Sequence, residues 1–362
     1  MNYKALSLWL FAIITVCISC GDGENKNTTN RDFLPRASLV PNEILVVMDS
    51  SQWNGVLGEA IRDVFTEPIP GLPQEEPYFK VSHIQPQDLR GFLKRYPNIL
   101  FAFTLDNNSR ATEMLKTMFS ERSLEQIQNE PQRYMATRKD EFAKGQEVMY
   151  LFANSEEQLT SRIYSSRDQL LNYFRDVERQ RSIREYSQVK VTRPLSDMLS
   201  QQYGFSLRFP AGYEVAKQDS NFVWIRLLDN QVDKSIWATW KPYTGQEAFE
   251  RENIIEYRNT VAKQYIWGDQ SDTYMRLENQ LPVSMEEVNF NGRFAVETRG
   301  LWRLEKMIMG GPFISYTFVD EATNRLYYLE GFVYAPGQDK RAAMSELEAI
   351  LWTFKSAPQQ KK

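Results

Sequence analysis

Two cysteines, one histidine and a scatter of carboxylates set the chemistry open to this chain. Cys17 and Cys20 both lie near the start, and His83 is the single histidine. Zinc sites built from several Cys or His ligands are therefore excluded, and haem and iron–sulfur centres lose their usual ligands. A Ser-His-acid triad could be assembled in one way at most, through His83. Neither a G-x-S-x-G elbow, a P-loop nor a dinucleotide glycine fingerprint occurs. Carboxylate chemistry, Ser-Lys chemistry, oxygen-ligated metals and binding without catalysis remain. Glu286, Glu287, Glu297, Asp320, Glu321 and Glu330 could furnish the pair of acids that cleaves a glycosidic bond, although acids so spaced occur in any acidic domain. Asp49, Ser51 and Asp106 end two apolar runs, where open α/β sheets collect ligands. Trp302 and Arg303 are the candidate platform for a glycan or peptide, and Trp302 must lie either in the core or on a binding face. His83 ends a predicted strand with no nucleophile motif beside it, so a structural role is expected. No metal and no cofactor is expected.

Cys20 also ends a short leader. Lys4 precedes an apolar run from Ala5 to Ile18, a layout that reads as an export signal. A run of about 14 residues is short of the roughly 20 that a membrane span takes. Val16-Cys17-Ile18-Ser19-Cys20-Gly21 resembles the lipobox of bacterial lipoproteins, although Cys17 stands where Leu or Val is commoner. The resemblance implies cleavage before Cys20 and a diacylglycerol on its thiol; an ordinary secreted protein cut at the same place is the alternative. Gly21 to Arg36 reads as a polar tether that could extend about 50 Å. Asp22 and Glu24 resemble the export signal that sends some Bacteroidota lipoproteins to the surface. The expected location is the bacterial cell envelope, at the outer membrane, on either its periplasmic or its surface face. A mature chain without thiols suits that oxidising compartment.

Lys and Arg number 43 against 47 Asp and Glu, so no basic excess exists to neutralise phosphates and a nucleic-acid partner is not expected. An apolar fraction of 42 % supports well-buried cores. Length and pattern give a leader at 1–19, a lipidated tether at 20–37, an N-terminal α/β domain at 38–190 and a C-terminal α+β domain at 196–358. The fold class is α+β overall. Apolar runs at 44–48, 78–83 and 98–104 alternate with helical patterns at 49–65 and 86–96, which predicts a small, mostly parallel sheet. A strand pair at 134–138 and 148–152 and a long helix over 155–185 follow. The run from Arg175 to Arg181 is nearly all charge and reads as a solvated helix end rather than a binding patch. Pro194 breaks the pattern at the boundary. Beyond it, eight strand patterns between 204 and 334 and helices near 245–265 and 340–354 predict an antiparallel sheet covered by helices. Asn291-Gly292 marks a hairpin, and Gly310-Gly311-Pro312 reads as a tight turn. Tyr327 and Tyr328 are adjacent on a strand, so they point to opposite faces and require a second covering layer or an exposed aromatic.

Arg299-Gly300-Leu301-Trp302-Arg303, Gly310-Gly311-Pro312-Phe313 and Arg325-Leu326-Tyr327-Tyr328-Leu329-Glu330-Gly331-Phe332 resemble DUF4837, a family of Bacteroidota lipoproteins of unknown function. The likeness extends over nearly the whole mature chain, carried mostly by these second-half phrases. It implies a two-part envelope lipoprotein and supplies no activity. Tyr203 to Pro210 opening a domain that closes on a helix and Thr353-Phe354-Lys355 resembles PsbP/Mog1-like folds, which commonly serve as binding or assembly modules. Asp49-Ser50-Ser51 sits where von Willebrand A-type domains hold a metal, but the Asp-x-Ser-x-Ser pattern fails at Trp53, so helix capping is the expected role. The expected function is a non-enzymatic binding or assembly module held to the membrane through Cys20, with an envelope protein or glycan as partner. A carboxylate-dependent hydrolase of glycans or other envelope polymers is the alternative.

Overall fold

The computed structural model describes residues 33–38, 41–270 and 272–356. The expected leader, Cys20 and the expected tether through residue 32 lie outside them. In the first half, β1 (Glu43–Val47), β2 (Lys80–Ile84), β3 (Asn98–Thr104), β4 (Met135–Lys139) and β5 (Glu147–Ala153) form one sheet in the order β2-β1-β3-β5-β4. All neighbours are parallel except β4 with β5. β3 is apolar from Ile99 to Phe103 because both of its faces are covered. The helices are α1 (Ser50–Trp53), α2 (Val56–Phe65), α3 (Arg110–Lys116), α4 (Glu121–Asn129), α5 (Glu156–Ser165) and α6 (Arg167–Gln188). Ile44, Val46 and Leu100 face a core with α2, α5 and α6, while Leu45, Val47 and Phe101 face a second with α3 and α4.

The second half opens with α7 (Arg193–Tyr203). The strands β6 (Phe205–Ser206), β7 (Glu214–Asp219), β8 (Phe222–Leu227) and β9 (Asp233–Pro242) lead to α8 (Arg251–Tyr265). Then come β10 (Met275–Leu277), β11 (Ser284–Phe290), β12 (Arg293–Leu304), β13 (Gly310–Asp320), β14 (Arg325–Tyr334), α9 (Arg341–Leu351) and β15 (Lys355–Ser356). An antiparallel sheet in the order β10-β12-β13-β14-β9-β8-β7, with β11 also on β12, forms the domain centre. Tyr327 packs with α7 and α9 on one face, and Tyr328 packs with α8 on the other. Both are fully buried, so two helical layers answer the demand made by that adjacent pair.

Several expectations are corrected. The helix over 49–65 is broken at Asn54-Gly55, and Gly58 is packed so closely on α1 that a Cβ there would lie 1.9 Å from the Trp53 carbonyl oxygen. Residues 86–96 hold two short 3-10 turns, Pro86–Asp88 and Gly91–Arg95, parted at Leu89-Arg90, with Gly91 at φ +56° opening the second. The long helix is two, meeting at Ser166. Pro194 starts α7 instead of breaking the chain, since proline lacks only an amide that the first turn leaves unused. Gly310-Gly311-Pro312 lies inside β13, where a Cβ on Gly311 would come within 2.0 Å of the Val333 carbonyl oxygen. The close approach of strand β14, not a turn, requires glycine there.

Candidate functional site

Asp49 leaves the end of β1 and caps α1: its carboxylate accepts from the Ser51 amide at 2.9 Å and from the Ser51 hydroxyl. Burial pushes its pKa up, yet these bonds and others from Ser109 and the Gln52 amide hold it below the usual aspartate value. Gln52 is buried beside it, donating to Thr104 Oγ1 at 2.8 Å and Glu156 Oε2 at 3.3 Å, and its Oε1 has no partner among the described residues. This acceptor-rich cluster sits where the sheet order reverses between β1 and β3. Asp106 lies nearby in sequence from β3 but is exposed, its amide donating to the Asn154 carbonyl. His83 stacks on Trp53 at 4.9 Å, with Nε2 3.0 Å from the Met48 carbonyl oxygen, and serves packing. Among the described residues no three Asp, Glu, His or Cys side chains gather as a metal site.

A larger concavity opens at the opposite kind of place, the turn end of the second sheet. Asn291-Gly292 joins β11 to β12 with φ of +53° and +83°, as a tight hairpin turn requires. The β13–β14 turn beside it is closed by the Thr323 hydroxyl, which donates to Asp320 at 2.6 Å. Between these turns and the segment after β9 lies a cleft of about 1010 Å³. Tyr243, Phe249 and Phe294 form its aromatic wall, with Phe249 edge-on to Phe294 at 5.1 Å. Arg293, Asp320 and Asn324 supply donors and acceptors, Arg293 lying 3.9 Å from Asp320. Phe294 is 52 % exposed although it shares its sheet face with buried Val296 and Trp302. Rings and paired polar groups around such a volume suit a small, largely uncharged ligand segment.

The halves meet along a buried ionic seam. On α6, Arg175 and Arg179 reach Glu348 of α9 at 3.5 and 3.0 Å, and Arg299 of β12 reaches the same carboxylate at 2.8 Å. Arg299 also holds Glu297 at 2.6 Å, to which the Tyr316 hydroxyl donates. Arg179 stacks over Trp352 at 3.7 Å and Arg175 over Tyr78 at 4.6 Å. Burial pushes the Glu348 pKa up, but Arg299, Arg175 and Arg179 together hold it well below the usual glutamate value. A second tie runs from Glu76, whose carboxylate accepts from the Lys340 and Arg341 amides at the start of α9. The charge run expected to be solvated is thus largely an interface, desolvated because each cation meets a carboxylate or an aromatic ring.

Residues 192–353 match the model of a domain of unknown function, DUF4837, and residues 37–187 match that of another, DUF8532. The second half is a DUF4837 domain. The match is narrower than the expected likeness over nearly the whole mature chain, because the first half belongs to a different model. No curated protein matches the chain. Within the DUF4837 domain, Trp302 is 3 % exposed and its indole donates to the Val333 carbonyl at 3.1 Å. It is a core residue under α8 and cannot act as an exposed platform. Arg303 points the other way and is partly exposed, facing Glu278 and Glu305. Two of the candidate acids are kept apart: Glu297 lies on the α9 face, while Glu330 lies on the α8 face, bound to fully buried Arg258 at 2.9 Å and accepting from Tyr328. Sequence reasoning missed Tyr243, Phe249 and Phe294 as a site; the available signal was Phe294 two residues after the Asn-Gly turn, at the start of its strand.

Proposed function

We propose that the chain is a lipid-anchored cell-envelope protein whose two halves act as one non-enzymatic binding module, with the cleft at the turn end of the DUF4837 domain as its ligand site. The observation that carries this reading is the aromatic wall of Tyr243, Phe249 and half-exposed Phe294 facing Arg293, Asp320 and Asn324. Anchorage rests on the leader and Cys20 and is a reading of sequence alone. A second reading, a carboxylate-dependent hydrolase, has support in Asp320 and Glu321, which line the same cleft.

The test incubates purified protein with insoluble peptidoglycan and with outer-membrane polysaccharide. Co-sedimentation that drops at least tenfold in Phe294→Ala, with no new reducing ends, supports the binding module, since aromatic anchors dominate binding energy. Reducing ends that appear with wild type and vanish in Asp320→Asn establish the hydrolase instead. Clickable fatty-acid labelling of wild type that is lost in Cys20→Ser supports the anchor, and an unlabelled wild type removes it.

A further inference from the structure

The turn between β12 and β13 carries Lys306-Met307-Ile308-Met309, and the Ile308 side chain is fully exposed at its tip. Isolated surface apolar residues are ordinary, but this one is not isolated. The loop after α8 lies against the same turn: a Cβ on Gly268 would stand 2.7 Å from Met307 Sδ and 3.0 Å from Leu304 Cδ1. The Glu305 amide donates to the Tyr274 carbonyl at 2.9 Å, and Lys306 faces Asp272 at 3.6 Å. Next to Gly268, Trp267 is 59 % exposed. Its indole N–H is already spent on the Lys263 carbonyl at 2.7 Å, so the ring can leave water without stranding a donor.

We propose that this tip and Trp267 form a patch that dips into a lipid bilayer, a second membrane contact separate from any acyl group on Cys20. Three observations favour lipid over a protein partner. The patch is convex, with Met307 and Met309 half-buried behind Ile308, and a bilayer accepts a projecting apolar side chain without a matching pocket. One ammonium group stands at each of two neighbouring rings, Lys217 Nζ 3.9 Å from the Trp267 ring centre and Lys263 Nζ 4.9 Å from that of Tyr274, and aromatic and basic side chains of this kind anchor proteins at membrane surfaces. Lys306 stands on the tip itself, and its exposed pair with equally exposed Asp272 leaves its ammonium within reach of headgroup oxygens. Asp272 and Glu305 offset these cations locally, so attachment depends on apolar insertion more than on anionic lipid.

The experiment places photoreactive benzoylphenylalanine at position 306 of the full chain, leaving Ile308 in place, with position 321 at the far end of the sheet as control. Vesicles are phosphatidylcholine alone or mixed with phosphatidylglycerol. The expected result is a phospholipid adduct from position 306 in both lipids, little from 321, and a loss of roughly tenfold or more in Ile308→Asp, as removing one buried aliphatic side chain entails. An unchanged thermal transition of Ile308→Asp certifies that the fold is intact. No lipid adduct at 306, equal adducts at both positions, or cross-links to a second copy of the chain overturn the proposal. A lipid adduct at 306 in protein that takes no fatty-acid label sustains the patch while removing the anchor; label without the adduct does the reverse.

Discussion

Replacing Glu348 by Gln removes one charge from the seam while keeping its volume. Three guanidinium groups converge on that carboxylate, and its side chain is only 12 % exposed. Taking one partner from a buried pair typically costs about 3–5 kcal/mol, because the remaining charge is left desolvated. Arg299 keeps Glu297, and Arg175 and Arg179 sit at the rim, 17 % and 11 % exposed, from where they can turn toward water. The lower end, about 3 kcal/mol, is therefore expected, a fall of roughly 4 °C in Tm for a chain of this size. Guanidinium denaturation, followed by circular dichroism and by tryptophan fluorescence in parallel, measures it. The pH dependence follows from the sign of the shift: a carboxyl with a depressed folded pKa stabilises above its unfolded value and loses that contribution as pH falls. The gap between wild type and Glu348→Gln should be widest near neutrality and should close below the ordinary glutamate value of 4.5. A loss under about 1 kcal/mol at pH 7, or a gap that widens on acidification, refutes the claim that Glu348 neutralises the seam.

Glu76→Ala should cost about 1–2 kcal/mol, the scale of a lost helix cap, and should raise amide exchange at Lys340 and Arg341 before other parts of α9; protection unchanged there would show that the tie is idle. Trp302→Ala should destabilise by about 3–5 kcal/mol as a large core truncation, read by thermal melting, while a folded variant of native stability would contradict its placement under α8.

Much of the fold was legible where periodicity and burial agree. The apolar run from Ile99 to Phe103 suits a strand covered on both faces, and Asn291-Gly292 suits a tight hairpin turn. The α6 charge run was not legible, because charge normally reports solvent. Its signal was geometric: Arg175 and Arg179 continue, four residues at a time, the buried stripe begun by Leu171. What makes that stripe buried is α9, far along the chain, and local pattern cannot supply a distant counter-charge. The Gly310-Gly311 pair misled for a related reason. Two glycines look like a turn, whereas here the Val333 backbone occupies the space that a side chain would need. For the site, Asp49 as a helix cap was readable from its spacing. The cleft was not, since it is made by two turns and one connection that only the sheet brings together.

The tie between Glu76 and the amides of Lys340 and Arg341 spans 264 residues or more of chain. It gives α9 the position of a keystone in time as well as in space. Contacts this distant in sequence close a large loop, so they form late and slow the completion of folding. Until α9 arrives, the first half holds the Glu76 carboxylate without the amides it caps, Arg175 and Arg179 lack Glu348, and the sheet of the second half lacks the cover over Tyr327. An interrupted chain ending before residue 341 would thus be flawed in both domains at once. Damage or truncation at the carboxyl end is broadcast to the amino-terminal half as unpaired charge, while the second sheet is left with uncovered apolar surface. Arrival of one eleven-residue helix decides whether both domains pass as finished.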